Sequence, residues 1–220
     1  MKVLLALGAL LAATSFAQSA GDVNARYVTK EGRVQVAAGL ANPNRDKTQK
    51  PEVVTAALNL KHGMTVADIG TGVGYMLPYL SKAVGPQGKV LGEDVQSDFL
   101  DQAKTLAADN HLANVSLILG GFTDPKLPVK AVDVALILDV YHHFDEPAKM
   151  LAAIAPALKR NGHLVIVEYH KADSPQPGHI LREWSDVVKE VEADGFRLLS
   201  KIDRITGNQY MLTFVRREQR

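Results

Sequence analysis

Three alternate glycines stand between an apolar strand and a helix, a pattern that suits a ligand-binding loop. Asp68 is followed by Gly70, Gly72 and Gly74, and the next helix begins at Tyr75. Glycine lets the backbone turn tightly and lets a ligand approach without a Cβ in the way, and the N-terminus of the helix then faces the ligand. Two common nucleotide sites are disfavoured. Tyr75 stands where a dinucleotide fingerprint needs glycine, and no Gly-Lys-Ser or Gly-Lys-Thr of a phosphate-binding loop follows.

The strand after this helix ends in two acids, Glu93 and Asp94. Asp94 lies 94 − 74 = 20 residues after Gly74, a spacing at which a carboxylate can accept hydrogen bonds from both ribose hydroxyls of a nucleoside. Successive residues of a strand point to opposite faces, so we expect Glu93 to point away from the site. The loop and the acid together predict a nucleoside site, with Asp94 as the ribose ligand.

Titratable side chains follow the next strands of the pattern. Tyr141, His142 and His143 come after the fourth strand, and His170 comes after the fifth. In open α/β sheets ligands bind at the carboxyl ends of the strands, and His is the usual side chain that removes a proton near neutral pH. We therefore predict catalytic or substrate-positioning roles for His142, Tyr141 and His170. A further histidine, His179, is expected to cap a helix or lie at the surface.

The elements that position these residues alternate between strand and helix. Such alternation predicts a mostly parallel sheet covered by helices on both faces. The last two strands have no helix between them and form a hairpin, so the final strand runs antiparallel. We predict an α/β, Rossmann-like, doubly wound, seven-stranded, mostly parallel sheet with an antiparallel last strand. The predicted strands are 65–69, 89–93, 115–119, 132–138, 163–168, 196–202 and 209–215, and the predicted helices are 51–60, 75–84, 97–110 (with Ser97 as N-cap), 146–158 and 180–193.

The chain divides into three predicted segments. Residues 1–17 have the order of a signal peptide, with one basic residue, an apolar run and small residues before a cleavage site after Ala17. This order predicts a periplasmic or secreted protein with no stable membrane association after cleavage. Residues 18–50 are polar and are predicted to form an irregular N-terminal arm or lid. Residues 51–220 are predicted to form the catalytic domain.

Composition narrows the classes of function. The chain has 220 residues with a net charge of +1, so it is long enough for one α/β domain and carries no bulk attraction to nucleic acid. The absence of cysteine excludes disulfides, thiolate metal ligands and a cysteine nucleophile. No basic stripe is present, so we expect no nucleic-acid partner.

The Asp-x-Gly-x-Gly-x-Gly pattern resembles the first motif of class I S-adenosylmethionine-dependent methyltransferases, and the similarity continues from Asn44 to Val215. The resemblance implies that S-adenosyl-L-methionine is the cofactor and that its methyl group moves to a small-molecule acceptor by in-line displacement. In that family the acid two residues before the first glycine lies close to the amino-acid end of the cofactor, and Asp68 takes this place. The implied cofactor-binding residues are Asp68, Gly70, Thr71, Gly72, Gly74, Asp94, Val95, Gly121, Phe122 and Asp139.

One position departs from the family pattern. The family usually has an Asp after the third strand that binds the adenine amino group, and Gly121 stands there. Asp124 or backbone groups near Phe122 are the candidates to replace it. Within the family, this chain is similar to a group of bacterial predicted secreted methyltransferases whose substrate is not established, and the similarity is carried by 44–51, 141–144 and 167–170.

Two further hypotheses remain. A metal site could use the nitrogen and oxygen ligands that lie after the fourth and fifth strands, namely Asp139, His142, His143, Glu168 and His170. We predict no metal, because the acidic pattern of metal-dependent methyltransferases of catechol-like substrates is absent after the fourth strand. The alternative function is an exported nucleoside- or cofactor-binding protein without turnover, since a signal peptide directs the chain away from the cytoplasm, where the cofactor is made.

Overall fold

The computed structural model describes residues 23–176 and 178–217, so the predicted signal peptide lies outside the described residues. Seven strands form one sheet in the order β3-β2-β1-β4-β5-β7-β6. Strand β7 is antiparallel to both of its neighbours, and the other pairs are parallel. The predicted fold class is confirmed. The strands are β1 Thr65–Ile69, β2 Lys89–Asp94, β3 Val115–Leu119, β4 Val132–Leu138, β5 Leu158–Tyr169, β6 Phe196–Ile202 and β7 Gln209–Arg216.

The central strands are buried on both faces, which explains their continuous apolar sequence. In β4, Val134 and Leu136 belong to one apolar cluster, whereas Ala135 and Ile137 belong to a second. The first cluster includes residues of the helix after β1, and the second includes residues of the helix after β4. The strand order reverses between β1 and β4, and this reversal opens a crevice at the carboxyl ends of the strands.

The elements of the domain follow the predicted order, and several boundaries are shifted. Strand β5 starts at Leu158, directly after its helix, rather than at residue 163. The last helix starts at Trp184 rather than at residue 180, and Gln96 rather than Ser97 precedes the helix after β2 as its N-cap. The helices are α1 Ala25–Val28, α2 Lys30–Leu40, α3 Arg45–Gln49, α4 Pro51–Ala57, α5 Leu77–Val84, α6 Ser97–Asp109, α7 Pro147–Ala157 and α8 Trp184–Ala193.

The described part of the predicted arm is helical, which corrects the expectation of an irregular segment. Helix α2 begins where the Thr29 side chain accepts a hydrogen bond from the backbone N–H of Gly32. Ala37 packs with Val73 of the glycine loop and Phe99 of α6. Tertiary contacts therefore stabilise helices that the polar sequence indicates only weakly. The domain boundary at residue 51 stays a prediction.

No helix within residues 23–176 and 178–217 combines the length and apolarity that are needed to cross a bilayer.

Candidate active site

The glycine loop is tightly wound at the carboxyl end of β1. Gly70, Gly72 and Gly74 have φ of 71°, 57° and 89°, the region in which glycine is strongly preferred. A Cβ on Gly70 would lie 2.6 Å from the side chain of Val140, which follows β4. Packing against Val140 is therefore a second reason for glycine at position 70. The Thr71 hydroxyl donates a hydrogen bond to Asp68 at 2.6 Å, and its backbone N–H donates to the Glu93 carbonyl at 2.8 Å. These bonds fasten the loop to the ends of β1 and β2.

Both acids at the end of β2 face the loop. Asp94 accepts hydrogen bonds from the backbone N–H of Gly72 at 2.9 Å and of Gln96 at 2.8 Å. The Glu93 carboxylate accepts one from Gly70 N–H at 3.3 Å. The expectation that Glu93 points away from the site was wrong, because its long side chain turns back to the loop.

A cavity of about 390 Å³ lies beside this loop, a size within the usual range for small-ligand pockets. It lies between the carboxyl ends of β1, β2 and β4 and the helices of the arm. Of the predicted cofactor residues, eight line the cavity: Asp68, Gly70, Thr71, Gly72, Asp94, Val95, Phe122 and Asp139. Wall residues that the sequence analysis did not assign to the site include Asn24, Tyr27, Arg45, Glu93, Gln96, Phe99, His143 and Phe144.

Two predicted cofactor residues lie behind the wall. A Cβ on Gly74 would lie 3.1 Å from the Cβ of Ala103, so this glycine lets α6 approach the loop. Gly121 forms a backbone bridge with Asp124, and the Asp124 carboxylate accepts a hydrogen bond from Lys126 N–H at 2.8 Å. The Asp124 side chain therefore stabilises a local turn in this structure, and Phe122 is the residue of this loop that reaches the cavity.

Four carboxyl groups of the wall are held where ionisation is costly. Burial raises the pKa of Asp68 to about 6 and that of Glu93 to about 8. The pKa of Asp94 is raised by burial, although hydrogen bonds from Gln96, Gly72 and Val95 oppose the shift. Burial, with the charge of Glu168, raises the pKa of Asp139 to about 7. Because desolvated carboxylates are stabilised by nearby positive charge, this wall favours a cationic ligand.

Asp139 is fixed by contacts that span the molecule. Its φ is 55°, and its carboxylate accepts a hydrogen bond from the Gln209 side chain on β7. Gln209 in turn accepts hydrogen bonds from Gln49 of α3 and from Thr206, each at 3.0 Å. The arm is thus tied to the carboxyl end of β4 through a buried polar chain.

Arg45 of α3 lines the cavity, and the neighbouring Asp46 holds α3 against Tyr75 and Tyr79. The Arg45 guanidinium lies 4.1 Å from the centroid of the Tyr75 ring. Asp46 accepts hydrogen bonds from the hydroxyls of Tyr75 at 2.6 Å and Tyr79 at 2.9 Å. Sequence reasoning assigned no role to Arg45, although it supplies a positive charge beside the acidic wall.

The histidines after β4 have different surroundings. His143 lines the cavity, and its ring nitrogens lie 2.7 Å from the Asn24 side-chain oxygen and 3.4 Å from the Tyr27 hydroxyl. His142 is buried behind it, with Nδ1 2.5 Å from a Glu168 oxygen and Nε2 3.0 Å from Nε2 of His179. The structure therefore brings His143, which the sequence ranked below His142, to the cavity wall.

Tyr141 and His170 were predicted to be catalytic, and the structure places both outside the cavity wall. Tyr141 is buried under α8, and its hydroxyl donates a hydrogen bond to Glu190 at 2.8 Å. The His170 ring packs against the Tyr210 ring, and its Nε2 lies 3.3 Å from Oδ1 of Asp203. The short 3₁₀ turn Tyr141–His143 explains the first case, since it turns consecutive side chains in different directions.

Comparison with known proteins identifies the family. A family model described as a methyltransferase domain matches residues 60–216. Nocamycin O-methyltransferase of Saccharothrix syringae is 29% identical over 123 residues, which are 56% of this chain and 42% of that protein. The ubiquinone/menaquinone biosynthesis C-methyltransferase UbiE of Vibrio campbellii is 25% identical over 165 residues, which are 71% of this chain and 63% of that protein. The chain thus spans less than two thirds of the length of these relatives.

Among solved structures, a SAM-dependent methyltransferase from Aquifex aeolicus superposes with a TM-score of 0.77 at 30% identity, covering 82% of this chain and 96% of that chain. These findings confirm the resemblance inferred from the glycine loop, with S-adenosyl-L-methionine as the cofactor of the family. The chain therefore belongs to the methyltransferase-domain family, and its domain has the fold and the glycine-loop motif of class I S-adenosylmethionine-dependent methyltransferases.

Proposed function

We propose that this protein transfers the methyl group of S-adenosyl-L-methionine to a small-molecule acceptor. The observation that carries the proposal is the cavity at the reversal of strand order, where the glycine loop and four buried carboxyl groups meet. The named relatives support a small acceptor, since they include a nocamycin O-methyltransferase and a ubiquinone/menaquinone biosynthesis C-methyltransferase.

The residues of the wall fit the cofactor by charge and by shape. S-adenosyl-L-methionine carries a sulfonium and an ammonium group, and both gain from the nearby carboxylates of Asp68 and Asp94. Glycine is needed at positions 70 and 72, because a Cβ at Gly70 or Gly72 would lie within 3.0 Å of a neighbouring side chain. The absence of side chains also lets the cofactor approach the backbone of the loop closely. For adenine we assign the exposed ring of Phe122, which is 68% accessible and lies on the cavity wall. Such a ring offers stacking area in place of the missing Asp.

The acceptor side of the cavity is assigned to Tyr27, His143 and Phe144. The cofactor supplies an electrophilic methyl group, so the protein has to hold the acceptor atom in line with it. Burial, with the charges of His142 and His179, lowers the pKa of His143 to about 2. His143 is therefore neutral near pH 7 and can accept a hydrogen bond from an acceptor O–H or N–H group. Tyr27 and Asn24 orient the ring.

Calorimetric titration with S-adenosylhomocysteine and S-adenosyl-L-methionine tests the cofactor assignment. We expect one site with a dissociation constant in the micromolar range or tighter. No binding to a folded sample would refute the proposal. Detection of methyl transfer to phenol, quinol or amine acceptors then separates an enzyme from a binding protein without turnover, and transfer to none of them would favour the binding protein.

We also propose that the protein is exported, a proposal that rests on the sequence of residues 1–17. A fusion of residues 1–20 to a reporter that is active only outside the cytoplasm tests it. Reporter activity that disappears when the apolar run is interrupted by two lysines supports export. Activity equal to that of a leaderless reporter would contradict it.

A further inference from the structure

Three histidines come together beside the cavity from two separate parts of the chain. His142 and His143 follow β4, and His179 lies in the irregular segment before α8. One ring nitrogen from each histidine lies within 4.8 Å of the corresponding nitrogens of the other two. The rings are also close, with centroids 4.1 Å apart for His142 and His143 and 4.6 Å apart for His142 and His179.

A buried carboxylate orients the central ring. Glu168, at the end of β5, is 2% exposed, and one of its oxygens lies 2.5 Å from Nδ1 of His142. Its other oxygen accepts a hydrogen bond from the backbone N–H of Tyr169 at 2.9 Å. With Nδ1–H donated to a carboxylate, the lone pair of His142 Nε2 points toward His179. Metal-binding histidines usually have this arrangement of carboxylate and imidazole.

Buried acids supply negative charge beside the three histidines. Glu168 is 2% exposed and contacts His142, and Asp139 lines the adjoining cavity. A bound cation would offset this charge, and neutral imidazole is the form that coordinates metals.

The distances between the ring nitrogens of the three histidines are close to those in a metal site. Zinc–nitrogen bonds of about 2.0–2.1 Å in tetrahedral geometry place two ligand nitrogens about 3.3 Å apart. The Nε2 atoms of His142 and His179 are 3.0 Å apart, and the ligand nitrogens of all three histidines lie within 4.8 Å of one another, so the nitrogen–nitrogen distances to His143 must shorten by at most about 1.5 Å. Contacts with Asn24 and Tyr27 hold the His143 ring beside the other two, so metal binding requires one His143 nitrogen to exchange its present contact for the ion.

We propose that His142, His143 and His179 bind one divalent transition-metal ion of the zinc class, with Glu168 orienting His142. Three histidine ligands leave an open coordination position. His143 belongs both to this cluster and to the cavity wall, so a bound ion would lie next to the acceptor side of the cavity. The proposal departs from the sequence prediction of no metal, which considered Asp139 and His170 as ligands and did not include His179.

Metal titration tests this site independently of methyl transfer. Untagged protein is freed of metal with a chelator and titrated calorimetrically with Zn²⁺, and separately with Co²⁺ while the visible absorption of tetrahedral Co²⁺ is recorded. We expect one equivalent of each metal to bind with a dissociation constant in the micromolar range or tighter. Failure of the folded protein to bind one equivalent would overturn the proposal.

Variants locate the site. Glu168→Gln should weaken Zn²⁺ binding about 10- to 100-fold, as measured for partners of metal-binding histidines. His179→Ala removes a direct ligand and should weaken it by more than about 100-fold. His62→Ala is the matched control, because His62 is exposed and lies beside Gly85, before the amino-terminal end of β1 and opposite the edge that carries the site.

His179 does not line the cavity, and a cooperative thermal unfolding transition like that of the wild type would show that His179→Ala is folded. A folded His179→Ala variant with unchanged Zn²⁺ affinity would refute the assignment. Because the titration uses the metal alone, its outcome does not depend on whether the proposed methyl transfer is correct.

Discussion

Replacing Asp94 with Asn removes one charge from the cavity wall while preserving the shape of the side chain. Asp94 is 7% exposed, and it accepts hydrogen bonds from Gly72 and Gln96 in the free protein. The two donors contact different oxygens, so an Asn side chain keeps one of these hydrogen bonds and turns its NH2 group toward the other N–H. The variant therefore tests the carboxylate as a ligand of the ribose hydroxyls more directly than Asp94→Ala, which also removes support from the loop.

The expected loss follows from the value of a hydrogen bond to a charged group. Such a bond contributes about 1.5–3 kcal/mol, which corresponds to a factor of roughly 10 to 150 in the dissociation constant. Stability is subject to two opposing effects. Burial raises the pKa of Asp94, so the ionised carboxylate opposes folding at neutral pH and the neutral amide relieves that cost. The hydrogen bond lost from one backbone N–H acts against folding, so we expect a melting temperature close to that of the wild type together with weaker cofactor binding.

Calorimetric titration with S-adenosylhomocysteine measures the affinity, and thermal unfolding measures the stability. Asp101→Asn is the matched control, since Asp101 is an exposed acid on α6, the helix that follows Asp94 in the chain. Wild-type affinity in the Asp94→Asn variant would remove Asp94 from the ribose site. A parallel loss of affinity and melting temperature would mean that Asp94 acts only through the loop.

The remaining predictions concern strain, pH and turnover. Gly70→Ala places a Cβ 2.6 Å from the Val140 side chain at a φ of 71° and should lower the free energy of unfolding by about 2–4 kcal/mol. In denaturant titrations, the double variant Gly70→Ala/Val140→Ala should recover the part of this loss that the steric clash causes. Additive losses for the two substitutions would refute the clash. Glu93 has its pKa raised to about 8, so it favours folding most below the unfolded pKa of about 4.5 and loses this contribution as pH rises toward 8. Glu93→Gln should flatten that fall in stability between these pH values, and an unchanged profile would contradict the burial argument. His143→Ala should lower kcat about 100-fold or more, while cofactor affinity stays within about threefold of the wild-type value. Equal losses of kcat and of cofactor affinity would mean that His143 has a structural role.

The fold was predictable because its strands are defined by local apolar sequence. Strands β1, β3, β4 and β6 have the bounds expected from the sequence. The boundaries that shifted depend on distant contacts. Strand β5 extends back to Leu158 because that residue pairs with Val132 of β4, and α2 forms against the glycine loop. A polar segment gives no local signal for such packing.

In the site, the sequence by itself determined the parts that are contiguous in the chain. The glycine loop and the acids after β2 are local motifs, and the positive φ angles at the glycines follow from the residue type. Tertiary structure decided which side chains face one another. The approach of His179 to His142 spans 37 residues, and that of Asn24 to His143 spans 119. Spacing along the chain specifies the backbone of a short motif, but the direction of adjacent histidines is set by the partners that packing brings to each ring.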